Sequence, residues 1–143
     1  MKEISHSNIA LDGGTLIALS IGEKGSSILK ERILLGEITG FASQLAITEM
    51  LYILCRKFSW KIAVEKKQQI MDSKMVIIIN NEELIEEAAK YKCNRAIALA
   101  DCFTLATAKL KDAKAMFAKR EEELIKEINK QKFDVEIEFL LSD

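Results

Sequence analysis

Apolar residues in this chain occur in two arrangements, short runs and longer segments that repeat every three to four residues. The short runs at residues 8–11, 74–79 and 113–118 predict β-strands, and the run at 74–79 is so continuous that it predicts a buried one. The run at 135–139 alternates strictly, which predicts a half-exposed strand at a sheet edge. The segments with the longer repeat predict helices at residues 15–20, 26–35, 47–58, 61–72, from 82 onward, 99–110 and 121–129.

Strands that alternate with helices predict an α/β fold. We expect three layers, α/β/α, with a central and mainly parallel sheet. The chain has 143 residues and no proline, repeat or linker, which favours one domain over residues 1–143. Gly36 and Gly40 interrupt the pattern. In the clearest helix, an apolar stripe runs from Leu99 to Leu110.

Polar residues before several helical segments fit N-terminal caps. Ser26 or Ser27 would cap the second helix, and Asn81 would cap the helix that opens with two glutamates. Thr48 would cap the segment ITEMLYILCRKF, which would place Glu49 in its first turn.

Composition excludes several kinds of chemistry. His6 is the only histidine, so a paired-histidine ribonuclease, a Ser-His-Asp triad and a histidine-rich metal site lack their parts. Cys55, Cys93 and Cys102 lack CxxC spacing and fit reduced thiols of a cytoplasmic protein. No secretory signal and no membrane-spanning run occurs. The net charge of −1 means that any nucleic-acid binding must come from a local basic patch or be weak and brief.

Three acids stand out by position: Asp12, Glu49 and Asp101. Asp12 follows the first strand directly, where parallel sheets bind ligands, although an acid there also fits a helix cap. Glu49 taken alone fits a first-turn charge. Asp101 lies between Ala100 and Cys102 in an apolar helix, and a buried carboxylate needs a partner or a metal. Gathered together, these oxygens would suit Mg²⁺ or Mn²⁺ and could direct a water at a phosphodiester.

Four segments resemble motifs of the PIN domain family. LDGGTLIAL at 11–19 resembles its first motif, ITEMLYILCR at 47–56 its second, and RAIALADCFTLATAKL at 95–110 its third. AKAMFAKREEEL at 113–124 resembles the strand and helix start that follow. The resemblance covers nearly the whole chain and is closest to prokaryotic proteins of the VapC toxin type, particularly archaeal ones.

The resemblance implies a PIN-like fold and a metal-dependent endoribonuclease that hydrolyses RNA. Asp12 and Asp101 would be the principal ligands of Mg²⁺ or Mn²⁺, and Glu49 would bind the metal directly or through water. Glu121 matches the place of a fourth acid, usually Asp, although a charged first turn explains it equally well. All four would then be catalytic residues.

Two threonines would support these acids. Many family members carry Ser, Thr or Asn two places after the first acid, where this chain has Gly14, so Thr15 is the candidate substitute. Thr104 lies one turn after Asp101 and could bond a carboxylate, a water or a phosphate, or only its own backbone.

The resemblance also implies an RNA substrate, a small antitoxin and a homodimer, with room for interfaces on long apolar helices between residues 17 and 54. Basic residues near the acids could contact phosphates, although solvated surface charge explains each one singly. They are Arg56, Lys57, Lys61, Lys92, Arg95, Lys119 and Arg120. Two other functions stay open: a PIN-fold scaffold or RNA-binding module without turnover, and a nuclease that cuts structured DNA.

Overall fold

The computed structural model describes residues 6–140. Its elements, in chain order, are β1 (Ser7–Leu11), α1 (Gly13–Ile21), α2 (Ser26–Leu34), β2 (Ile38–Ser43), α3 (Gln44–Lys57), α4 (Trp60–Ser73), β3 (Val76–Ile79), α5 (Ile85–Asn94), α6 (Leu99–Leu110), β4 (Lys114–Phe117), α7 (Glu122–Lys130) and β5 (Ile137–Phe139). Within this part of the chain, no helix has the length and apolar character needed to cross a membrane.

The five strands form one parallel sheet in the order β3-β2-β1-β4-β5. Alternate side chains of β1 point to opposite faces: Ile9 and Leu11 join a core with α1, α3 and α4, whereas Ala10 joins a core with α5, α6 and α7. The expected three-layer α/β fold is therefore confirmed. Because all strands run the same way, their carboxyl ends lie along one edge of the sheet.

Strand β2 is absent from the sequence-based expectation, which treats Gly36 and Gly40 as breaks. Gly36 does turn the chain, with φ of 77°. Gly40, however, lies inside β2, where a Cβ would be 3.3 Å from both Leu11 Cδ1 and the Met75 carbonyl oxygen. Glycine therefore allows close packing there and does not end the strand. The helices between residues 17 and 54 are short, with nine, nine and fourteen residues, so the long apolar helices expected there are wrong.

The two edge strands differ in how well they are predicted. β5 lies at an edge and is half-exposed, as its alternating pattern predicts. The run at 74–79 contains β3, which lies at the opposite edge and leaves Ile77 49% exposed, so the expectation of a buried strand is wrong. A continuous apolar run cannot reveal strand order, because that depends on which neighbours pair.

Details of three other helices also differ from expectation. No side chain caps α2, in contrast to the expected Ser26 or Ser27. Asn81 begins a short 3₁₀ turn, and α5 starts four residues later. Leu99 and Leu110 are about half-exposed, because α6 packs through buried residues between them, such as Cys102, Leu105 and Ala106.

Candidate active site

Asp12 lies at the carboxyl end of β1 and caps α1. Its Oδ1 accepts three hydrogen bonds, from Thr15 N (2.8 Å), Thr15 Oγ1 (2.7 Å) and Ala118 N (3.2 Å). Among the described residues, its Oδ2 receives none. Burial raises the pKa of Asp12 above its usual value despite these three bonds. Asp12 is thus both a cap and a carboxylate with one oxygen still available.

The two glycines after Asp12 allow close approach. A Cβ on Gly13 would overlap Glu49 Oε1 and lie 2.9 Å from Glu49 Cβ. A Cβ on Gly14 would lie 2.8 Å from Ala118 Cβ and 3.6 Å from Asp12 Oδ2. Both glycines lie in the first turn of α1. Their missing side chains make room for Glu49 on one side and for the end of β4 on the other.

Glu49 lies in the second turn of α3, because that helix begins earlier than its sequence suggests. Ser43 caps it by accepting a hydrogen bond from Ala46 N (3.0 Å), whereas Thr48, the expected cap, donates to Gln44 O. A role as first-turn charge is therefore wrong for Glu49. Burial, then the negative charges of two other acids, raise its pKa, while the Gly13 backbone N–H acts in the opposite direction.

Asp101 lies in the first turn of α6 and is partly buried. Burial raises its pKa to about 7, and the negative charges of Glu121, Asp12 and Glu49 act in the same direction. Asp101 therefore has neighbours that disfavour its charge, and it forms no ion pair with Lys or Arg anywhere in residues 6–140.

Glu121 follows β4 and occupies the position before α7, where its side chain forms no cap. Its charge raises the pKa of Asp12, Glu49 and Asp101, so it lies near all three. Glu122 instead pairs with Lys126 at 3.2 Å. Glu121 is thus the member of the acidic run that acts on all three other acids, whereas Glu123 acts on Asp101 alone.

These four acids, here called the acidic cluster, lie where three strands end and α6 begins. Over residues 6–140 none of the four pairs with a basic side chain, although mutual repulsion and burial favour a compensating cation. Their oxygens are the hard ligands that Mg²⁺ and Mn²⁺ prefer. Yet no three His, Cys, Asp or Glu side chains in the described residues form a ready metal cage. An ion such as Mg²⁺ does not require such a cage, because it uses one or two carboxylates and keeps several waters.

The two threonines differ in what they support. Thr15 is fully buried, and its hydroxyl donates to Asp12 Oδ1. The Thr104 hydroxyl donates to Ala100 O (3.3 Å) within its own helix. Only Thr15 contacts an acid of the cluster directly. Ala118, which sequence reasoning misses, contributes a backbone N–H, and no sequence signal marks such a donor.

Arg95 does not line the site, contrary to the RNA-contacting role expected for it. Its guanidinium donates to three carbonyl oxygens at the end of α7, those of residues 127, 131 and 132. It also pairs with Glu127 at 3.7 Å and lies 3.8 Å from the centre of the Phe133 ring. Its side chain is only 11% exposed, so it holds α5 and α7 together. Lys92 donates to Ile97 O (2.6 Å) and also has a structural contact.

The other expected RNA contacts are exposed: Arg56, Lys57, Lys61, Lys119 and Arg120. Arg56 lies over the Tyr52 ring at 5.2 Å, and Arg120 lies over the Phe139 ring at 4.8 Å. In the described part of the chain, none of the five forms an ion pair. Their charges thus remain available to a ligand.

The sequence model of the PIN domain family matches residues 9–130. The chain belongs to the PIN domain family. This match spans the whole acidic cluster and most of the chain, and it agrees with the resemblance of the motifs. No curated protein matches the chain in sequence.

Solved structures of VapC-type proteins share this PIN fold. VapC20 of Mycobacterium tuberculosis, described as a sarcin-ricin loop cleaving toxin, has a TM-score of 0.63 at 19% identity, over 82% of this chain and 94% of that one. VapBC-1 of nontypeable Haemophilus influenzae gives 0.65 at 15% identity, over 94% and 99%. VapBC2 of Rickettsia felis, bound to a DNA fragment from its promoter, gives 0.64 at 13%, over 92% and 98%. The likeness to VapC toxins is confirmed, whereas an archaeal source stays a prediction.

Proposed function

We propose that this PIN domain protein is an endoribonuclease dependent on Mg²⁺ or Mn²⁺, and the toxin of a toxin–antitoxin pair. The observation that carries the proposal is the acidic cluster: four carboxylates gathered at the carboxyl edge of a parallel sheet, with no basic partner among the described residues and with a raised pKa for Asp12, Glu49 and Asp101. Such a cluster costs stability, which a cation would restore.

Each acid has a distinct part in the proposed reaction. Asp12, held by its Oδ1, would ligate the ion through Oδ2, and Asp101 would be the second principal ligand. Glu49, whose pKa is raised by burial, would accept a proton from the attacking water. Glu121 is exposed and would complete the site at its mouth. The ion, when bound, would stabilise negative charge on the phosphodiester oxygens.

The solved relatives support an antitoxin partner and a nucleic-acid substrate. One is described as cleaving the sarcin-ricin loop, and others are VapBC and FitAB pairs. We extend both properties to this chain and add a homodimer as its active form. Sedimentation would measure the oligomeric state, and co-purification with the product of an adjacent small gene would identify the antitoxin.

The decisive experiment compares carboxamide variants of the acids with a matched control. Asp12→Asn and Asp101→Asn should each lower Mg²⁺- or Mn²⁺-dependent RNA cleavage by at least about a hundredfold, while circular dichroism shows an unchanged fold. Asp112→Asn removes the same charge at an exposed position with a φ of 49°, which Asn accepts, and should leave cleavage unchanged.

Four results would contradict the proposal. Cleavage that survives either site variant would exclude the acidic cluster, and cleavage that survives EDTA would exclude the metal. No cleavage of single-stranded RNA or tRNA would favour a scaffold, whereas cleavage of flap DNA alone would favour a DNA nuclease.

A further inference from the structure

A surface outside the acidic cluster combines exposed aromatic rings with positive charge. It lies where α3 meets α4, and we call it the aromatic–basic tip. Its members are Arg56, Lys57, Phe58, Trp60 and Lys61. Phe58 is 53% exposed and Trp60 is 60% exposed. All three basic side chains are exposed, and none forms an ion pair within residues 6–140.

The tip is locally basic in a chain that is not. Residues 50–70 contain five Lys or Arg and one Glu, whereas the whole chain has a net charge of −1. Such a local concentration of positive charge is typical of a surface that binds an anionic ligand. Phosphate groups are the complementary partner, because the tip offers separate cations and no carboxylate among its members.

The aromatic rings are presented by a short and rigid connection. Phe58 N donates to Leu54 O (2.9 Å), which completes the end of α3. Ser59 accepts a hydrogen bond from Ile62 N (3.1 Å) and thereby caps α4. Only Phe58 and Ser59 separate the two helices. A partner would therefore lose little backbone entropy of the protein when it contacts these rings.

Helix α3 connects the tip to the acidic cluster. Glu49, Tyr52 and Arg56 follow one another at steps of three and four residues, so they share a side of the helix. Arg56 lies over the Tyr52 ring at 5.2 Å and continues that side toward the tip. Seven residues of helix span about 10 Å. A strand of nucleic acid that enters the cluster at Glu49 can therefore continue along α3 to Trp60.

We propose that the aromatic–basic tip binds single-stranded RNA beside the cleaved bond, with bases stacked on Trp60 and Phe58 and phosphates held by the three cations. This inference rests on the proposed function and specifies the form of its substrate. Aromatic rings bind bases only when the base faces are free, as in loops and single strands. Duplex RNA of the same sequence has no such faces to offer.

Trp60 is the only tryptophan of the chain, so its fluorescence reports on the tip directly. The experiment titrates a short single-stranded RNA into the Asp101→Asn protein with Mg²⁺ present, and records RNA anisotropy and tryptophan emission together. RNA should quench the emission and shield Trp60 from acrylamide. The matching duplex should do neither.

Two sets of substitutions in the same background test the contacts. Trp60→Ala and Phe58→Ala should each weaken binding of single-stranded RNA by roughly five- to a hundredfold, and Trp60→Phe should retain most affinity. Leu34→Ala, at a residue that is 66% exposed at the end of α2, should have no effect. Arg56→Gln, Lys57→Gln and Lys61→Gln should each reduce the salt dependence of binding by about one ion, unlike Lys24→Gln.

Three outcomes would overturn the inference: RNA that binds without changing Trp60 emission, a duplex that quenches equally, or a Trp60 that becomes shielded as the concentration of free protein rises. The last outcome would mean that a second copy covers the tip. The two proposals fail differently. If wild-type protein never cleaves RNA but these binding effects hold, the function fails and the tip stands. If RNA is cleaved while Trp60→Ala binds and cleaves normally, the tip fails alone.

Discussion

The protein without metal should become more stable above neutral pH when Asp101 is replaced by Asn. The folded protein disfavours the Asp101 charge, because burial and four neighbouring acids raise its pKa to about 7 from 3.8. Between pH 4 and 7 the folded protein therefore keeps a proton that the unfolded chain has lost, and stability falls as pH rises. Asp101→Asn has no charge to disfavour and should lack this loss.

The size of the effect follows from the pKa shift. A shift of about three units, at about 1.4 kcal/mol each, gives a ceiling of about 4 kcal/mol above pH 7. Side-chain movement and water near a partly buried group reduce this ceiling, so we expect about 1–2 kcal/mol. For a chain of this length, the melting temperature of Asp101→Asn should exceed that of the wild type by about 3–6 °C at pH 8.

Thermal melting by circular dichroism, at pH 5 and pH 8 in EDTA, measures the difference. The gain should shrink at pH 5, where folded Asp101 is mostly protonated. Mg²⁺ should raise the melting temperature of the wild type at pH 8 more than that of the variant, because a ligand stabilises the state that binds it. Asp134→Asn is a control of opposite sign: although burial acts against it, bonds from Lys109 and Tyr91 lower the pKa of Asp134, so its loss should destabilise.

Two results would refute this reasoning. One is an Asp101→Asn protein that melts at or below the wild-type temperature at pH 8 in EDTA. The other is a gain of equal size at pH 5 and pH 8, which would trace the effect to packing instead of charge.

Three further substitutions test contacts around the cluster and in the fold. Thr15→Val removes the hydroxyl bonded to Asp12 and should slow RNA cleavage about tenfold in initial-rate assays, whereas Thr15→Ser should not; equal rates would dismiss the contact. In Gly13→Ala the new Cβ overlaps the Glu49 side chain, so the free energy of unfolding measured in urea should fall by about 1–3 kcal/mol. Alanine at a site with free space around it would not cause this loss. Arg95→Lys should lower the free energy of unfolding by about 2–3 kcal/mol in the same assay and leave RNA affinity unchanged, because Arg95 binds carbonyl oxygens of the protein itself. Weaker RNA binding by this variant would instead indicate that Arg95 contacts phosphates.

Local patterns predict much of the architecture. The helix at 99–110 and the strand within 113–118 appear where their periodicity predicts them, because each element's own residues carry the signal. The alternation of strands and helices is enough to predict a parallel sheet with two covered faces. Errors arise where packing overrides local signals: Gly40 lies inside a strand, because β2 pairs with β1 and β3 so closely that no side chain fits there, and Ser43 starts α3 ahead of Thr48.

For the acids of the candidate site, too, the sequence determines some properties and the tertiary structure the others. By itself the sequence determines that carboxylates stand at the start of an element or in apolar surroundings, and for Asp101 that this charge needs compensation. Only the tertiary structure decides which of them meet. Asp12 is bonded to the backbone of residue 118, and Glu121 influences all three other acids, because β1 and β4 are neighbours whose ends lie together. Arg95 shows the converse: its charge suggests a ligand contact, but the fold turns it toward carbonyl oxygens. Burial, charge repulsion and hydrogen bonds between residues far apart in sequence exist only once tertiary packing brings those residues together.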